Sequence, residues 1–321
     1  MPNSLAHSLV VKRFYIQEEE HADSISSFIK NNYEFLSLGS QGPDPMFYVG
    51  IVPFHAVHLI TANKRLGNKV HKTDGKKFFK NLIDETYMIE DDRERSRFQS
   101  FILGQLAHYF LDRETHPYII YQSGFDENGK ITGKYHYLHA NYESKIDVCL
   151  AKKYKMNYFL DNSDDAIPSS RDFLRIVDTH FVPALKRTFD EKRLPKRLYT
   201  CSITNMHAVI HFMNHNGKAK RCLLGKNSLT ALYLDKEHED ISVFNQSRNQ
   251  WLDPVTGEKR FDSFLQLHTK AYELLTQCYH DILKNGFNYE VISKYLNGLN
   301  YYGLPVGAKW VNNRENIEKN K

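Results

Sequence analysis

The sequence predicts an all-α protein, and three observations lead to that prediction. Helical patterns dominate the chain, alternating strand patterns are scarce, and one long segment is apolar on most of its sides. With 321 residues, the chain is long enough for one large domain or two modest ones. We therefore expect a multi-helical fold whose core forms where helix faces pack together.

The N-terminal half holds the clearest helical patterns. They cover residues 5–15, 22–37, 76–89, 95–112 and 137–152. The segment 95–112 is the most informative, because the apolar residues around it predict burial on most sides. It nevertheless carries His108 and Asp112, and buried polar side chains need hydrogen bonds or a metal ion. Gly104, one turn before His108, is expected to leave open space on that face.

A polar, turn-forming stretch, DNSDDAIPSS at residues 161–170, is the best candidate boundary. Residues 1–160 are expected to form one helical part, which carries His108 and Asp112. Residues 161–321 are expected to form a helical C-terminal part, packed onto the first as one compact unit. Its helices are expected near residues 170–190, 203–215, 261–284 and 288–298.

Composition excludes few function classes. Lys plus Arg is 43 and Asp plus Glu is 38, and the net charge of +5 is spread along the chain. That charge permits contact with anionic phosphate but does not demand nucleic acid or a membrane. No apolar run approaches the ~20 residues of a membrane span. The N-terminus lacks a long apolar stretch and a small-residue cleavage site, which predicts a cytoplasmic protein.

The cysteines do not suggest a metal site. Cys149, Cys201, Cys222 and Cys278 are far apart and form no C-x-x-C pattern. We expect free thiols rather than a disulfide framework or thiolate ligands.

Histidine and acidic residues before residue 144 form a candidate metal-ligand set. His108 with Asp112 in HYFLD, and His139 with Glu143 in HANYE, are spaced so that each pair shares one helix face. Zinc prefers imidazole and carboxylate ligands, and paired ions about 4 Å apart can clamp a phosphoryl group. The full set is His7, Asp44, His71, His108, Asp112, His116, His139 and Glu143.

Each member of this set has an ordinary interpretation when taken alone. Histidine and acid spaced i, i+4 on a helix are more often a hydrogen-bonded or solvated pair than metal ligands. His116 precedes Pro117, which predicts an extended backbone and suits a plain loop residue as well as a fixed ligand. The sequence GPD around Asp44 is by itself a turn signal. The order in which these elements occur gives them their weight.

That order resembles the zinc-dependent phospholipase C family, whose fold is shared with fungal zinc-dependent single-strand nucleases. The family has a histidine in an early helix, then an aspartate, a histidine, an H-x3-D helix, a histidine, and a helix that begins with histidine and glutamate. Here His7 in AHSLVVKRF, Asp44, His71, LGQLAHYFLD, His116 and HANYE follow the same order. The resemblance covers residues 5 to about 150 well and the rest loosely.

The resemblance implies up to three zinc ions and a hydrolytic reaction on a phosphodiester. One zinc would take Asp44, His71, His108 and Asp112; a second would take His116, His139 and Glu143; a third would share Asp112 and add His7 and the terminal amine. Asp112 would bridge two ions beside the attacking hydroxide, and Asp44 would act as the base for that water. Removal of Met1 would expose Pro2, five residues before His7, as the terminal ligand.

The substrate is less defined than the reaction. Phospholipid-cleaving members of the family surround choline with aromatic and acidic residues near the aspartate that matches Asp44, whereas here Pro45 follows directly and Phe47 and Tyr48 come next. The weak positive charge and the absence of an Arg/Lys stripe favour a lipid-type or small phosphodiester over nucleic acid. The alternatives are a single-strand nuclease or nucleotidase, and a metal-binding protein without turnover.

Other histidines carry weaker signals. His207, His211 and His215 would share a helix face, and a solvated face is the favoured interpretation over a metal or pH-sensing site. His55 and His58 match no family ligand. Arg113 and Glu114 follow Asp112 directly and could orient ligands or meet phosphate.

Overall fold

The computed structural model describes residues 4–20, 27–48, 66–227 and 229–312. The first half holds α1 (Ser4–Glu20), α2 (Ser27–Lys30), α3 (Tyr33–Gly39), α4 (66–71), α5 (Lys76–Thr86), α6 (Asp92–Ser123) and α7 (Lys134–Lys153). The second half holds α8 (Tyr158–Asp161), α9 (Arg171–Phe189), α10 (Leu198–Asn214), α11 (Gly217–Leu224), α12 (Phe264–Asn285) and α13 (Tyr289–Ser293). Strands in these ranges are limited to the antiparallel pair Trp251–Leu252 and Lys259–Arg260. The predicted all-α class is confirmed.

α6 is the central helix of the fold, and its sequence explains both of its ends. The Asp91 side chain accepts a hydrogen bond from the backbone N–H of Glu94, and acidic residues occupy the first turn, where the helix dipole favours negative charge. The helix ends at Gly124, whose φ of 79° suits glycine. At 1.5 Å per residue α6 is about 48 Å long. It packs against α1, α3, α5, α7, α9 and α12.

The extended backbone predicted at His116 is wrong. α6 runs from Asp92 to Ser123 with Pro117 inside it. Proline lacks the N–H that would bond to the carbonyl four residues earlier, which here belongs to Arg113. Gly303 packs against the ring of Pro117 and the carbonyl of Arg113. A Cβ at Gly303 would lie 2.6 Å from Cγ of Pro117 and 2.7 Å from that carbonyl oxygen. Burial of α6 on most sides outweighs the local preference of the residue before proline.

The open space expected beside Gly104 is also wrong, because the backbone of α3 fills it. A Cβ at Gly104 would lie 2.2 Å from the carbonyl oxygen of Leu36 and 2.7 Å from Cα of Gly39. The two glycines therefore allow α3 and α6 to cross in backbone contact. This crossing brings the turn after α3, which leads to Asp44, against the middle of α6.

The helix predicted over residues 22–37 is interrupted. Residues 21–26 lie outside the described part, and α2 and α3 are separated at Asn32, whose side-chain amide donates to the carbonyl of Phe28 at 2.7 Å. Asparagine competes in this way with helical hydrogen bonds. Residues 161–170 form the end of α8, a short 3-10 helix and the approach to α9.

Apolar side chains from both halves form one continuous core, which extends from Leu5 on α1 to Tyr301 near the C-terminal end of the described chain. Trp251 is fully buried in it, as an anchor for the C-terminal part. The division into a catalytic part (1–160) and a C-terminal part (161–321) stays a prediction. All four cysteines are free. No helix in the described ranges is long and apolar enough to cross a membrane.

Candidate metal centre

The eight predicted ligands come from five helical elements and meet at one place. α1 supplies His7, the short 3-10 helix Asp44–Phe47 supplies Asp44, and α4 supplies His71. The remaining five lie on α6 and α7, at positions 108, 112, 116, 139 and 143. None of the eight is more than 5% exposed. Spacing by four along α6 places its three ligands on one face.

Asp112 is surrounded by imidazoles. Its Oδ1 lies 3.3 Å from Nε2 of His7 and 3.5 Å from Nδ1 of His116. Its Oδ2 lies 3.1 Å from Nε2 of His108 and 3.7 Å from Nε2 of His71. Each carboxylate oxygen thus faces a different Nε2 at close range, Oδ1 that of His7 and Oδ2 that of His108, and a carboxylate in this position can bridge two ions.

Asp44 extends the cluster on one side. Its Oδ1 lies 3.0 Å from Nε2 of His71 and 3.9 Å from Nε2 of His108. Asp44, His71 and His108 each offer a ligand atom within 4.8 Å of the others. His7, His108 and Asp112 form a second group of this kind.

A third group lies between α6 and α7. Oε1 of Glu143 is 3.2 Å from Nε2 of His139 and 3.6 Å from Nε2 of His116. The two imidazole rings are parallel within 4°, with centroids 5.5 Å apart. Both point their Nε2 atoms at the same carboxylate oxygen.

Backbone carbonyls fix the orientation of three of the imidazoles. Nδ1 of His71 lies 2.8 Å from the carbonyl oxygen of Gly67, and Nδ1 of His108 lies 2.9 Å from that of Ser40. Nδ1 of His116 lies 2.8 Å from the carbonyl oxygen of Tyr301. Because a carbonyl only accepts, each Nδ1 carries the proton, which leaves a lone pair on each Nε2 directed at the carboxylates.

The residues fit a bound cation, and unpaired buried atoms supply the test. In a neutral imidazole of this tautomer, Nε2 of His108 and Oδ2 of Asp112 are both acceptors, yet they face each other at 3.1 Å. Among the described residues neither atom has a hydrogen-bond partner, and Nδ1 of His7 also lacks one there. Buried acceptors that face each other need a proton or a metal ion between them. The donor set of imidazole and carboxylate is the one that zinc prefers.

The electrostatics keep the three carboxyl groups ionised. Burial would raise the pKa of Asp112, but His116 and His108 hold it well below its usual range. Burial also opposes ionisation of Glu143, and His139 is the main group that holds its pKa well below the usual value. The pKa of Asp44 is lowered against burial by His108 and His71. Three anionic ligands thus remain available at neutral pH.

Asp147 was not predicted, and it positions α1. Its carboxylate accepts hydrogen bonds from the backbone N–H groups of Leu5 and Ala6, at 3.1 and 2.9 Å. These N–H groups belong to the first turn of α1, where the helix itself offers them no carbonyl partner, and this turn immediately precedes His7. Burial raises the pKa of Asp147 well above its usual value. A signal was present in the sequence, since Asp147 continues the spacing of His139 and Glu143 by one more turn of α7.

Two tyrosines far along the chain complete the site, and no motif pointed to them. The backbone N–H of Tyr301 donates to the carbonyl of His71 at 3.1 Å, while its own carbonyl accepts from His116. The ring of Tyr302 lies with its centroid 5.3 Å from that of His116 and 5.8 Å from that of His71. The segment after α13 therefore packs directly against two of the predicted ligands, His71 and His116.

The other residues considered from the sequence lie elsewhere. Arg113 is buried and donates to Glu114, the carbonyl of Tyr295 and the side chain of Asn297, so it joins α6 to the segment after α13. On α10 and its cap, His211 and His215 stack with centroids 6.1 Å apart and His211 is largely exposed. Pro2, His55 and His58 lie outside the described residues.

A cavity of about 720 Å³ opens onto the cluster. Every predicted ligand except His108 lines it; His108 lies behind, with no exposed surface. Beyond the ligands, apolar side chains form much of the wall, including Ile131, Leu304 and Trp310. The volume is in the range of ordinary small-molecule sites.

Comparison with known proteins agrees with this geometry. The family model described as zinc dependent phospholipase C matches residues 5–191, more than half of the chain. The match contains all eight predicted ligands and ends well before Tyr301. No curated protein and no solved structure is significantly similar to the chain.

Proposed function

The chain belongs to the zinc-dependent phospholipase C family, and from that premise we propose that it is a phosphoric ester hydrolase that cleaves a phospholipid-type phosphodiester. One observation carries the proposal: three buried ligand groups meet at a single cavity. Structural zinc sites are normally closed by four protein ligands. His116, His139 and Glu143 form a group of only three residues, all of which line the cavity, and such a group leaves a position for water or substrate.

We propose that these residues hold up to three zinc ions, grouped as the family resemblance implies. Asp44, His71, His108 and Asp112 would hold one; His116, His139 and Glu143 a second; and His7 with Asp112 a third. When bound, zinc supplies Lewis-acid polarisation of phosphoryl oxygens and favours deprotonation of water at neutral pH.

The protein residues have separate tasks in this proposal. Asp112 joins two of the ligand groups, because its two oxygens face different imidazoles. Asp44 lines the cavity and is the carboxylate that accepts the proton of the attacking water. The carbonyls of Gly67, Ser40 and Tyr301 hold the imidazole rings so that Nε2 is directed towards the carboxylates.

The cavity wall supports a substrate with an apolar portion. Ile131, Leu304 and Val306 line it, and Val306 is 60% exposed at its edge. Such a rim suits the glycerol and acyl parts of a lipid, while the polar base of the cavity suits the phosphoryl group.

A single-strand nuclease is the second candidate. Phe47, Tyr302 and Trp310 also line the cavity, and aromatic side chains can stack on unpaired bases. The two candidates differ in what the aromatic rings contact, and a substrate comparison separates them: short-chain phospholipids against single-stranded oligonucleotides of equal phosphodiester concentration.

The proposed function is tested by hydrolysis of a chromogenic phosphodiester. Purified protein should release the chromophore, lose that activity in a chelator, and recover it on addition of zinc. The variant His211→Ala should behave as the parent does, because His211 is exposed on α10 and distant in sequence from every ligand. Full activity after exhaustive metal removal would refute the proposal.

A further inference from the structure

The acidic and basic residues on the cavity wall occupy different places. The acids that line it among the described residues are Asp44, Asp112 and Glu143, all of them predicted metal ligands. The other charged residues on the wall are three lysines, at positions 72, 130 and 309. Beyond the metal ligands, therefore, the described wall carries only positive charge.

The three lysines form no close ion pair within the described structure. None of Lys72, Lys130 and Lys309 forms an ion pair with a described carboxylate. Lys69, which precedes Lys72 by three residues and does not line the cavity, does pair with a carboxylate, that of Glu191 at 2.7 Å. The ammonium groups at the cavity are therefore available to a ligand.

Asp126, four residues before Lys130, is already engaged by its own loop, and Lys130 helps to lower the pKa of its carboxyl without forming an ion pair with it. Oδ1 of Asp126 accepts hydrogen bonds from the backbone N–H groups of Asn128 and Lys130, both at 2.9 Å. The hydroxyl of Thr132 donates to its other oxygen. These bonds hold the loop that presents Lys130.

Two of the lysines stand on segments that pack against each other. Gly129 approaches the backbone of Trp310 so closely that a Cβ there would lie 2.5 Å from the carbonyl oxygen. Ile120, Phe125, Leu304 and Trp310 form a separate apolar cluster beneath this contact. Lys130 and Lys309 each adjoin one side of the contact, so the rim that carries them is a built part of the fold.

We propose that these lysines form a subsite for a second anionic group, so that the preferred substrate is a phosphodiester whose head group carries a further phosphate. The inference rests on the proposed function in one respect: the metal centre takes the scissile phosphoryl group. A quaternary ammonium head group would meet three like charges and no described carboxylate beyond the metal ligands, which disfavours it. A second phosphate would instead meet unpaired donors.

Binding to the zinc-loaded protein tests the subsite without turnover. The probes are propane-1,3-diol bisphosphate and phosphocholine, which share one phosphate and differ in the second group. Isothermal titration calorimetry should show about tenfold tighter binding of the bisphosphate, because exposed charge contacts contribute about a few-fold each. The triple variant K72Q/K130Q/K309Q should lose this preference, whereas Lys284→Gln, an exposed lysine on α12, should keep it.

Two further readouts accompany the binding assay. In the parent protein, the ratio of affinities for the bisphosphate and phosphocholine should decrease between about 0.05 and 0.5 M salt, because screening weakens exposed charge contacts. This measurement needs no variant, so it still tests the subsite if the triple variant fails to fold. The ratio of kcat/KM for p-nitrophenyl 3-phosphopropyl phosphate over p-nitrophenyl phosphocholine should likewise fall about tenfold in the triple variant.

Failure of the subsite and failure of the proposed function give different results. Equal affinity for the two probes, or a preference that survives all three substitutions, overturns the subsite even if phosphodiesters are cleaved. Tighter binding of the bisphosphate by a protein that cleaves no phosphodiester overturns the proposed function and supports the subsite.

Discussion

At the scale of single residues, the proposed metal centre is arranged around one carboxylate. Asp112 has imidazole nitrogens of His7, His71, His108 and His116 between 3.1 and 3.7 Å from its oxygens. The i, i+4 spacing in the sequence predicted His108 as its neighbour on α6. His116 was expected in an extended segment, and it lies beside Asp112 because α6 continues through Pro117. His7 and His71 come from elements remote in sequence, and their proximity to Asp112 was available only through the family resemblance.

Asp112→Asn should therefore damage two ligand groups at once. Asparagine keeps the shape but removes the negative charge, so we expect the zinc content to fall and kcat/KM to fall by at least about 10²-fold. Elemental analysis and phosphodiester hydrolysis measure the two effects. His211→Ala is the control; equal damage from that exposed residue would show that the centre has been placed wrongly.

His139→Ala should have a narrower effect. His139 contacts Glu143 and stacks with His116, and it belongs to only one of the three groups. We expect loss of about one zinc per chain, with the groups around Asp112 retained. A metal count as low as that of Asp112→Asn would contradict the separation of the groups.

At the scale of elements, local patterns predicted the helices better than their junctions. The apolar pattern identified α5, α6, α7, α9 and α12, because each buries a helical face. It could not show that α6 continues through Pro117, since packing against Gly303 decides that. It also gave no indication that the segment after α13 orients His116, because that contact joins residues 185 positions apart.

Gly303→Ala tests the importance of this segment, and Gly298→Ala is its matched control. Both glycines have positive φ, 69° and 81°, so both substitutions should cost about 1 kcal/mol of backbone strain. Only at position 303 does the new Cβ meet α6, since nothing lies within 4 Å at position 298. We expect Gly303→Ala alone to lower zinc content and activity. Equal loss in both variants would mean that the contact with Pro117 has no role in the centre.

His180 on α9 gives the stability a defined pH dependence. Its Nε2 lies 2.7 Å from Oε1 of Glu94 on α6, and its Nδ1 faces Glu85 on α5. Burial lowers the pKa of His180, but these two carboxylates outweigh it and raise the pKa above 6.5. The stabilisation is thus complete below pH 6.5 and is lost as the pH rises through the folded-state value.

Urea unfolding of the parent and of His180→Gln at several pH values measures this contribution. The difference in unfolding free energy should be larger at about pH 6 than at about pH 9. A difference that grows with pH would contradict the assignment of the ion pairs.

At the scale of the whole molecule, the metal centre lies among elements that share one core. The family match covers residues 5–191, yet Tyr301 and Tyr302 reach the ligands from beyond it. The sequence predicted the class of fold, and seven of the eight predicted ligands line the cavity; that they bind metal stays a prediction. It could not predict how the C-terminal part contributes, because that depends on packing between residues far apart in the chain.

Metal removal should consequently destabilise the whole fold rather than one half. A ligand that binds only the folded state adds about 2.7 kcal/mol at a hundredfold excess over its Kd. We expect one cooperative thermal transition, with a lower Tm in chelator that zinc restores. Two separate transitions, only one of them sensitive to zinc, would contradict this expectation.

The central claim is that three groups of buried residues bind zinc at one cavity, and anomalous diffraction at the zinc edge from crystals of the zinc-loaded protein tests it most directly. The account predicts peaks between the side chains of Asp44, His71 and His108, beside His7 and Asp112, and among His116, His139 and Glu143. Peaks confined to other places, such as the exposed His211 and His215, with none at the cavity, would contradict it.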